Sequence, residues 1–202
     1  PWQRIKEGLK FIWASPIILA VLSLDMFAVF FGGAESLLPA FVNKVLNQGS
    51  ETFGLLRSAH GIGSLIMLLL LSFIPSLLRG NVGPKLLGTI GLYGLSIISF
   101  GLMRNLVLCF IVLMLAGCFD AISMVIRQSI LQLKTPENLK GRVSSVNSIF
   151  VSSSNELGAL ESGVAATILG LVPAIIFGGS MTILTVILIA IFIKPIRKVY
   201  LE

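Results

Sequence analysis

Eight ionisable side chains stand inside long apolar runs of this sequence: Asp25, Glu35, Arg57, His60, Asp120, Arg127, Glu156 and Glu161. Five are acids, set against two arginines and one histidine. A charge facing hydrocarbon costs several kcal/mol, roughly 2.5–3.5 on insertion scales. Burial disfavours an ionised carboxylate, so some of these acids must take up a proton or hold a cation. The chemistry on offer is proton handling or recognition of a cationic group. Bond-making chemistry finds no support. There is no Gly-x-Ser-x-Gly, no His-Glu-x-x-His, no aspartate pair of the intramembrane protease type and no phosphate-binding loop. The single histidine, His60, has no nucleophile at helical spacing beyond Ser64.

The eight differ in what else could explain them. Arg57 and Arg127 fit a snorkelling role from span ends as well as a functional one. A lone histidine such as His60 also suits a hydrogen-bonded packing position. Asp120 and Glu156 lie near the middle of their runs and have no such exit, so the functional reading leads there. Asp120 and Arg127 are seven residues apart, which puts them on one helix face but about 10 Å apart along the axis. Each is expected to find its partner on another helix. Glu35 with Arg57 or His60 is expected to form an outer pair.

These residues need elements that can carry them, and composition says which. Of 202 residues, 55% are apolar and 12% charged, with a mean hydropathy of +0.98. Soluble domains carry about 25% charged residues. A disordered chain, a soluble α/β enzyme and a disulfide scaffold are thereby excluded. At about 20 residues per crossing, six runs emerge, at about 17–42, 53–78, 86–103, 106–133, 143–171 and 174–193, with Pro173 breaking the last two apart. The runs are continuous rather than alternating, which excludes a β-barrel. Ahead of them, residues 1–14 place Trp2, Ile5, Leu9, Ile12 and Trp13 on one helical face, an amphipathic interfacial helix. Ser15-Pro16 marks the following helix start. The fold expected is all-α and membrane-embedded: an interfacial linker helix (1–14), six transmembrane helices (15–193) and a basic tail (194–202). The chain begins at Pro1 and reads as a piece of a longer protein.

The net charge of +6 is a topology signal rather than a nucleic-acid footprint. Eleven basic residues fall in the termini and in one set of loops, against only Lys44 and Arg104 in the other set. That bias assigns both termini to the cytoplasm. Charge is also uneven among the spans. Runs one, two, four and five carry ionisable residues, and runs three and six carry none. The bare runs are expected to face lipid and the others a shared interior. This is a three-plus-three pattern of the kind built by inverted repeats.

The fifth run is the most polar. It holds a four-residue stripe of small groups, Ser154, Gly158, Ser162, Ala166 and Gly170, suited to close helix packing. Asn155 and Glu156 are left as cavity candidates. Gly32-Gly33 and the glycines at 88, 91, 94 and 101 read as packing or flexing points. In the connector before it, Thr135 reads as a helix N-cap with Pro136 and Glu137 in the first turn, and Gly141 as the end of a short cytoplasmic helix. Cys109 and Cys118 lie on opposite sides of one helix and read as small buried hydrophobes. No metal-binding spacing and no cofactor motif is present.

The connector Thr135-Pro136-Glu137-Asn138-Leu139-Lys140-Gly141-Arg142-Val143-Ser144, with Arg127-Gln128 and Leu131-Gln132 before it, resembles the link between the tenth and eleventh helices of major facilitator superfamily transporters. With Ser153–Gly158, Glu161-Ser162-Gly163 and Glu7-Gly8-Leu9, it resembles the exporter branch that holds the enterobactin exporter and macrolide efflux proteins. The likeness covers the whole chain, but only the carboxy-terminal half of such a transporter. The segment Arg79–Lys85 stands where the superfamily has a gating loop, yet lacks its Asp and most of its basic residues. The resemblance implies proton-driven alternating-access export of an amphipathic small molecule, such as a drug or siderophore, across a bacterial inner membrane, together with an amino-terminal six-helix half. Within that scheme the buried charged and polar residues make Asp25, Asp120, Arg127, Asn155 and Glu156 the candidates for cavity lining, cargo contact or proton handling, and Glu35, Arg57, His60 and Glu161 the candidates for an outer gate, while Thr135, Pro136, Gly141 and Arg142 mark the cytoplasmic connector. Movement of lysophospholipid between leaflets is the alternative cargo chemistry. A non-transporting scaffold would have little use for so many buried charges.

Overall fold

A computed structural model describes residues 2–74 and 78–201. Eight α-helices dominate it: α1 (Trp2–Ala14), α2 (Pro16–Phe31), α3 (Ala34–Lys44), α4 (Ser50–Phe73), α5 (Val82–Leu102), α6 (Leu106–Lys134), α7 (Lys140–Leu169) and α8 (Leu171–Phe192). Five segments are long and apolar enough to cross a bilayer: α2 and α3 taken together, α4, α5, α6 and α8. Helix α7 has the length, 30 residues, but is more polar than these five and packs among them.

The boundaries follow local chemistry. Pro16 sits at the first position of α2, where its missing N–H has no helical partner to lose. Asn105 caps α6 by accepting from the Val107 and Leu108 amides at 2.9 and 3.2 Å. The turn between α7 and α8 is made by Gly170, at φ 92°, ψ 160°, a region that L side chains avoid. Pro173, expected to make that break, instead lies in the first turn of α8, where it costs no hydrogen bond. The expected end of the second run passes through residues 75–77, outside the described residues.

The first run departs most from expectation. It is two helices with a break at Gly32-Gly33, not one continuous span. A Cβ on Gly32 would lie 2.4 Å from the Ala28 carbonyl, and one on Gly33 would lie 2.4 Å from Ser162 Oγ. Only glycine allows α7 to approach the break. Below it Pro39 removes a further backbone donor from α3.

The helices pair closely in three sets: α4 with α6, α5 with α8, and α2 with α7, while α5 also packs on α6. Glycines permit these approaches. Gly63 meets the Met114 backbone and Gly117 the His60 backbone; Gly94 and Gly179 face one another; Gly158 meets Phe30. Ser154, Gly158 and Ser162 are buried, as the small-residue stripe predicts. Exchanging the first three runs with the last three maps the pair α2·α7 onto α6·α4 and α5·α8 onto itself. The packing thus carries the three-plus-three pattern seen in the charges. Two apolar clusters fill the interior. One lies at the Ile18, Ile130 and Ile196 end; the other lies around Phe41 and Phe100, whose rings are 4.5 Å apart.

Helix α1 lies against α7 and α2, with Ile12 buried and an ion pair between Glu7 and Arg142. Trp13, placed by its spacing on the apolar face, is exposed. The side chains of Trp2, Arg4, Ile5 and Lys6 lie outside the described residues.

The connector differs from its sequence reading. Thr135 ends α6 rather than capping a new helix, and its hydroxyl has no hydrogen-bond partner among the described residues. A single 3-10 turn, Glu137–Leu139, with Pro136 at its start, leads into α7. Gly141 therefore lies inside α7 and ends nothing. The helix continues through it because Gly141 keeps a negative φ and so does not make the left-handed turn by which glycine ends a helix.

Candidate functional site

The break in the first span opens onto a cavity of about 240 Å³. Helices α2 and α3 and the break supply Ala28, Gly32, Gly33, Glu35 and Ser36. Helix α4 supplies His60, α6 supplies Asp120, Ser123 and Arg127, and α7 supplies Asn155 and Ala159. Helix α5 adds Ile90 and Tyr93.

Arg127 organises the inner part. Its guanidinium lies 3.1 Å from Asp25 on α2 and 3.8 Å from Asp120 on its own helix. The expectation that seven residues of separation keeps Asp120 and Arg127 apart is therefore wrong. Helical side chains lean toward the N-terminus, and the long arginine side chain crosses the intervening two turns. The expected partner on another helix is also present, in Asp25. The two acids differ in setting. Asp25 and Arg127 are 8% and 7% exposed, whereas the Asp120 side chain is 40% exposed and lies on the cavity wall. Asp25 stands behind the arginine, outside the lining. Ser123 donates to the Asp120 carbonyl at 2.8 Å and fixes the wall beside it.

At the other end His60 Nδ1 lies 3.3 Å from Glu35 Oε1, joining α4 to α3. Arg57 is not part of this pair. It lies over the Phe53 ring, 5.9 Å from the centroid, and shares a separate small pocket with Glu35, His60 and Tyr93. Glu161 is not brought to that group. Its carboxylate accepts from the adjacent Ser162 hydroxyl at 3.5 Å, on α7. Glu156 is exposed and lies outside the cavity lining, although Asn155 beside it lines the wall. One residue is about 100° on a helix, which turns Glu156 outward.

Tyr93 is the residue the sequence reading missed. The third run was expected to be bare and lipid-facing, yet Tyr93 reaches the cavity and donates to the Gly32 carbonyl at 3.2 Å. The break leaves backbone groups that no helix satisfies, and a phenol on the neighbouring helix satisfies one. A tyrosine in an otherwise apolar run was the available signal, since a buried phenol needs a partner. Helix α8 contributes nothing to the cavity lining.

A second cavity, of about 320 Å³, lies between α6 and α7 at the connector. Gln128, Gln132, Thr135, Lys140, Gly141, Ser144 and Asn147 line it. Two buried polar atoms there, Thr135 Oγ1 and Asn147 Oδ1, have no hydrogen-bond partner among the described residues.

The first cavity therefore presents carboxylates, one guanidinium, an imidazole and a phenol at the meeting point of six helices, beside a helix break. Such a site can bind a charged or polar group and exchange protons with it. Comparison with known proteins agrees with a transport role. A family model described as transmembrane secretion effector, of the major facilitator superfamily, matches residues 2–199. Curated relatives include the enterobactin exporter EntS of Escherichia coli O1:K1 and of Shigella boydii serotype 18. Each is 26% identical over 195 residues, covering 96% of this chain and 46% of the relative. The chain thus spans less than half the length of the curated relatives it matches. No solved structure matches it.

Proposed function

Starting from a chain that belongs to the transmembrane secretion effector family of the major facilitator superfamily, we propose that it is the carboxy-terminal half of a proton-coupled exporter of amphipathic small molecules. The half would work with an amino-terminal six-helix partner in a bacterial inner membrane, with α7 as a further span, fifth in chain order, that brings the count to six, and with both termini cytoplasmic. The observation that carries this reading is the sharing of Arg127 between buried Asp25 and cavity-facing Asp120. A guanidinium held by two carboxylates has two resting positions. A proton or a cationic group of the cargo arriving at Asp120 leaves Arg127 to Asp25 alone. Its departure lets Arg127 bridge again. Proton and cargo then compete for one carboxylate, which is the requirement for exchange. Alternating access needs a two-state element, and the broken first span beside the site supplies it, as broken helices do in other transporters.

Glu35 and His60 form the outer contact in this scheme, at the far side of the break. Arg57 and Glu161 flank that end. Asn155 adds a polar contact to the cavity wall, while Glu156 faces away from the cavity on α7 and so acts with groups supplied by the other half. The test is efflux of a fluorescent amphipathic substrate from cells expressing the full-length transporter. Asp120→Asn and Arg127→Gln are expected to abolish pH-driven export while the protein still reaches the membrane. Unchanged export in both would remove the arginine exchange from the mechanism. Glu156→Gln is expected to slow export as well, through the interface between halves.

A further inference from the structure

The carboxy-terminal residues do not trail from the last helix. They fold back onto the start of α5 and place a cluster of cations there. Two short strands, β1 (Gly80–Asn81) and β2 (Tyr200–Leu201), pair antiparallel, and the Val82 amide donates to the Val199 carbonyl at 2.9 Å. Between α8 and β2 a 3-10 turn, Lys194–Lys198, buries Ile196 completely and Val199 nearly so. The seat is shaped for this. A Cβ on Gly83 would lie 1.8 Å from the Ile196 carbonyl. Burying Ile196 and Val199 turns Lys194, Arg197 and Lys198 outward, on the side of Arg79 from the α4–α5 loop and Lys85 from the first turn of α5. Lys85 Nζ donates to the Arg79 carbonyl at 2.8 Å, holding the loop in place.

We propose that this clip is a binding site for the headgroup of an anionic phospholipid. Segments 78–85 and 194–201 contain five cations and no acid, with Glu202 following directly. Arg79, Lys194, Arg197 and Lys198 meet no acid among the described residues, and the acids elsewhere at this end are engaged, Glu137 with Lys140 and Glu7 with Arg142. Arg79, Lys194, Arg197 and Lys198 are thus exposed on one edge and open to an anion from outside the described structure. Position selects lipid as its source. Phe192, 78% exposed, ends α8 two residues before Lys194, and Ile191 is exposed beside it. Acyl-chain contact and cation cluster are thus adjacent on one edge, with exposed Tyr200 at the headgroup level typical of interfacial tyrosines. Basic clusters next to a membrane span attract anionic lipid. Here the attraction is sharpened because the clip fixes cations from segments more than a hundred residues apart. Only the choice of leaflet rests on the orientation proposed above. Lipid retention is read without export, so the two proposals fail separately.

The test is native mass spectrometry of the purified full-length transporter in detergent with equal phosphatidylglycerol and phosphatidylcholine. The wild type is expected to retain phosphatidylglycerol selectively, and Lys194→Gln/Arg197→Gln/Lys198→Gln to lose that retention about tenfold or more. Gly83→Val and Ile196→Ala keep every charge but unseat the tail, which faster trypsin cleavage after Arg197 reports. Both are expected to lose retention as the charge variant does. Should either variant release its tail yet hold phosphatidylglycerol like the wild type, the fixed site is refuted in favour of diffuse attraction. Equal retention of the two lipids by the wild type, or displacement of the lipid by millimolar inorganic phosphate, would also overturn the proposal.

Discussion

Arg127 is buried between two carboxylates of unequal exposure, and the inequality gives each substitution a different signature. Removing the arginine strands Asp25, which has no other cation among the described residues. Breaking a buried pair from one side costs about 3–5 kcal/mol. Arg127→Gln is therefore expected to lower the thermal unfolding midpoint of the detergent-solubilised protein sharply. Asp25→Asn/Arg127→Gln should recover most of the loss, because no bare charge remains. Asp120→Asn should leave the midpoint nearly unchanged while impairing export, since half-exposed Asp120 can be hydrated. Tyr93→Phe removes one hydrogen bond, to the Gly32 carbonyl. About 1 kcal/mol of stability is expected to go with it. A midpoint equal to the wild type would show that the break has another source of support. At this scale the sequence marked which residues are costly to bury and offered Arg57 or His60 for Glu35, of which His60 is the partner, but it did not point to Asp25 for Arg127. Asp25 lies more than a hundred residues from Arg127, and no spacing rule connects them.

Among the elements, the glycines separate packing from propensity. Gly88 has open space where a Cβ would stand, whereas Gly94 would place one 2.9 Å from the Gly179 carbonyl, and Gly63 one 1.9 Å from the Met114 carbonyl. Alanine favours a helix over glycine by about 1 kcal/mol when nothing obstructs it. Gly88→Ala is therefore expected to be neutral or stabilising, Gly94→Ala moderately destabilising and Gly63→Ala the worst of the three. Ranking the three midpoints by thermal unfolding checks this. A harmful Gly88→Ala would mean that another surface covers that face. All three residues look alike in a sequence, each a glycine in an apolar run. Their difference lies in which helix stands opposite. For the same reason Gly32-Gly33 could be read only as a packing or flexing point and not as a full break, and the uninterrupted start of α7 through Gly141 went unseen.

For the molecule as a whole, the broad bare face is on α4. Only 22% of its most apolar stretch is buried, against 47% for the first span. Exposed Ile62, Leu65, Ile66 and Leu69 form that face. On the reading proposed here, α4 and the outward side of α7 meet lipid and the other half. The 202-residue chain reconstituted alone in vesicles is accordingly expected to give no efflux above empty vesicles. Coexpression with an amino-terminal half should restore it. Efflux from the chain alone would show that its cavity is complete without a partner.

The sequence by itself determined that this chain is helical and membrane-embedded, with its costly charges on four of six runs. Transfer into hydrocarbon depends on residue type and run length, and both are written along one dimension. Tertiary structure decided what those charges do to one another. It joined Asp25 to Arg127 and Glu35 to His60, brought Tyr93 from a run without charges, turned Glu156 away from its neighbour Asn155, and clipped the basic tail to a loop far back in the chain. Each outcome depends on distances between elements. Those distances are set by how closely glycine-bearing helix faces can approach, which no single segment specifies.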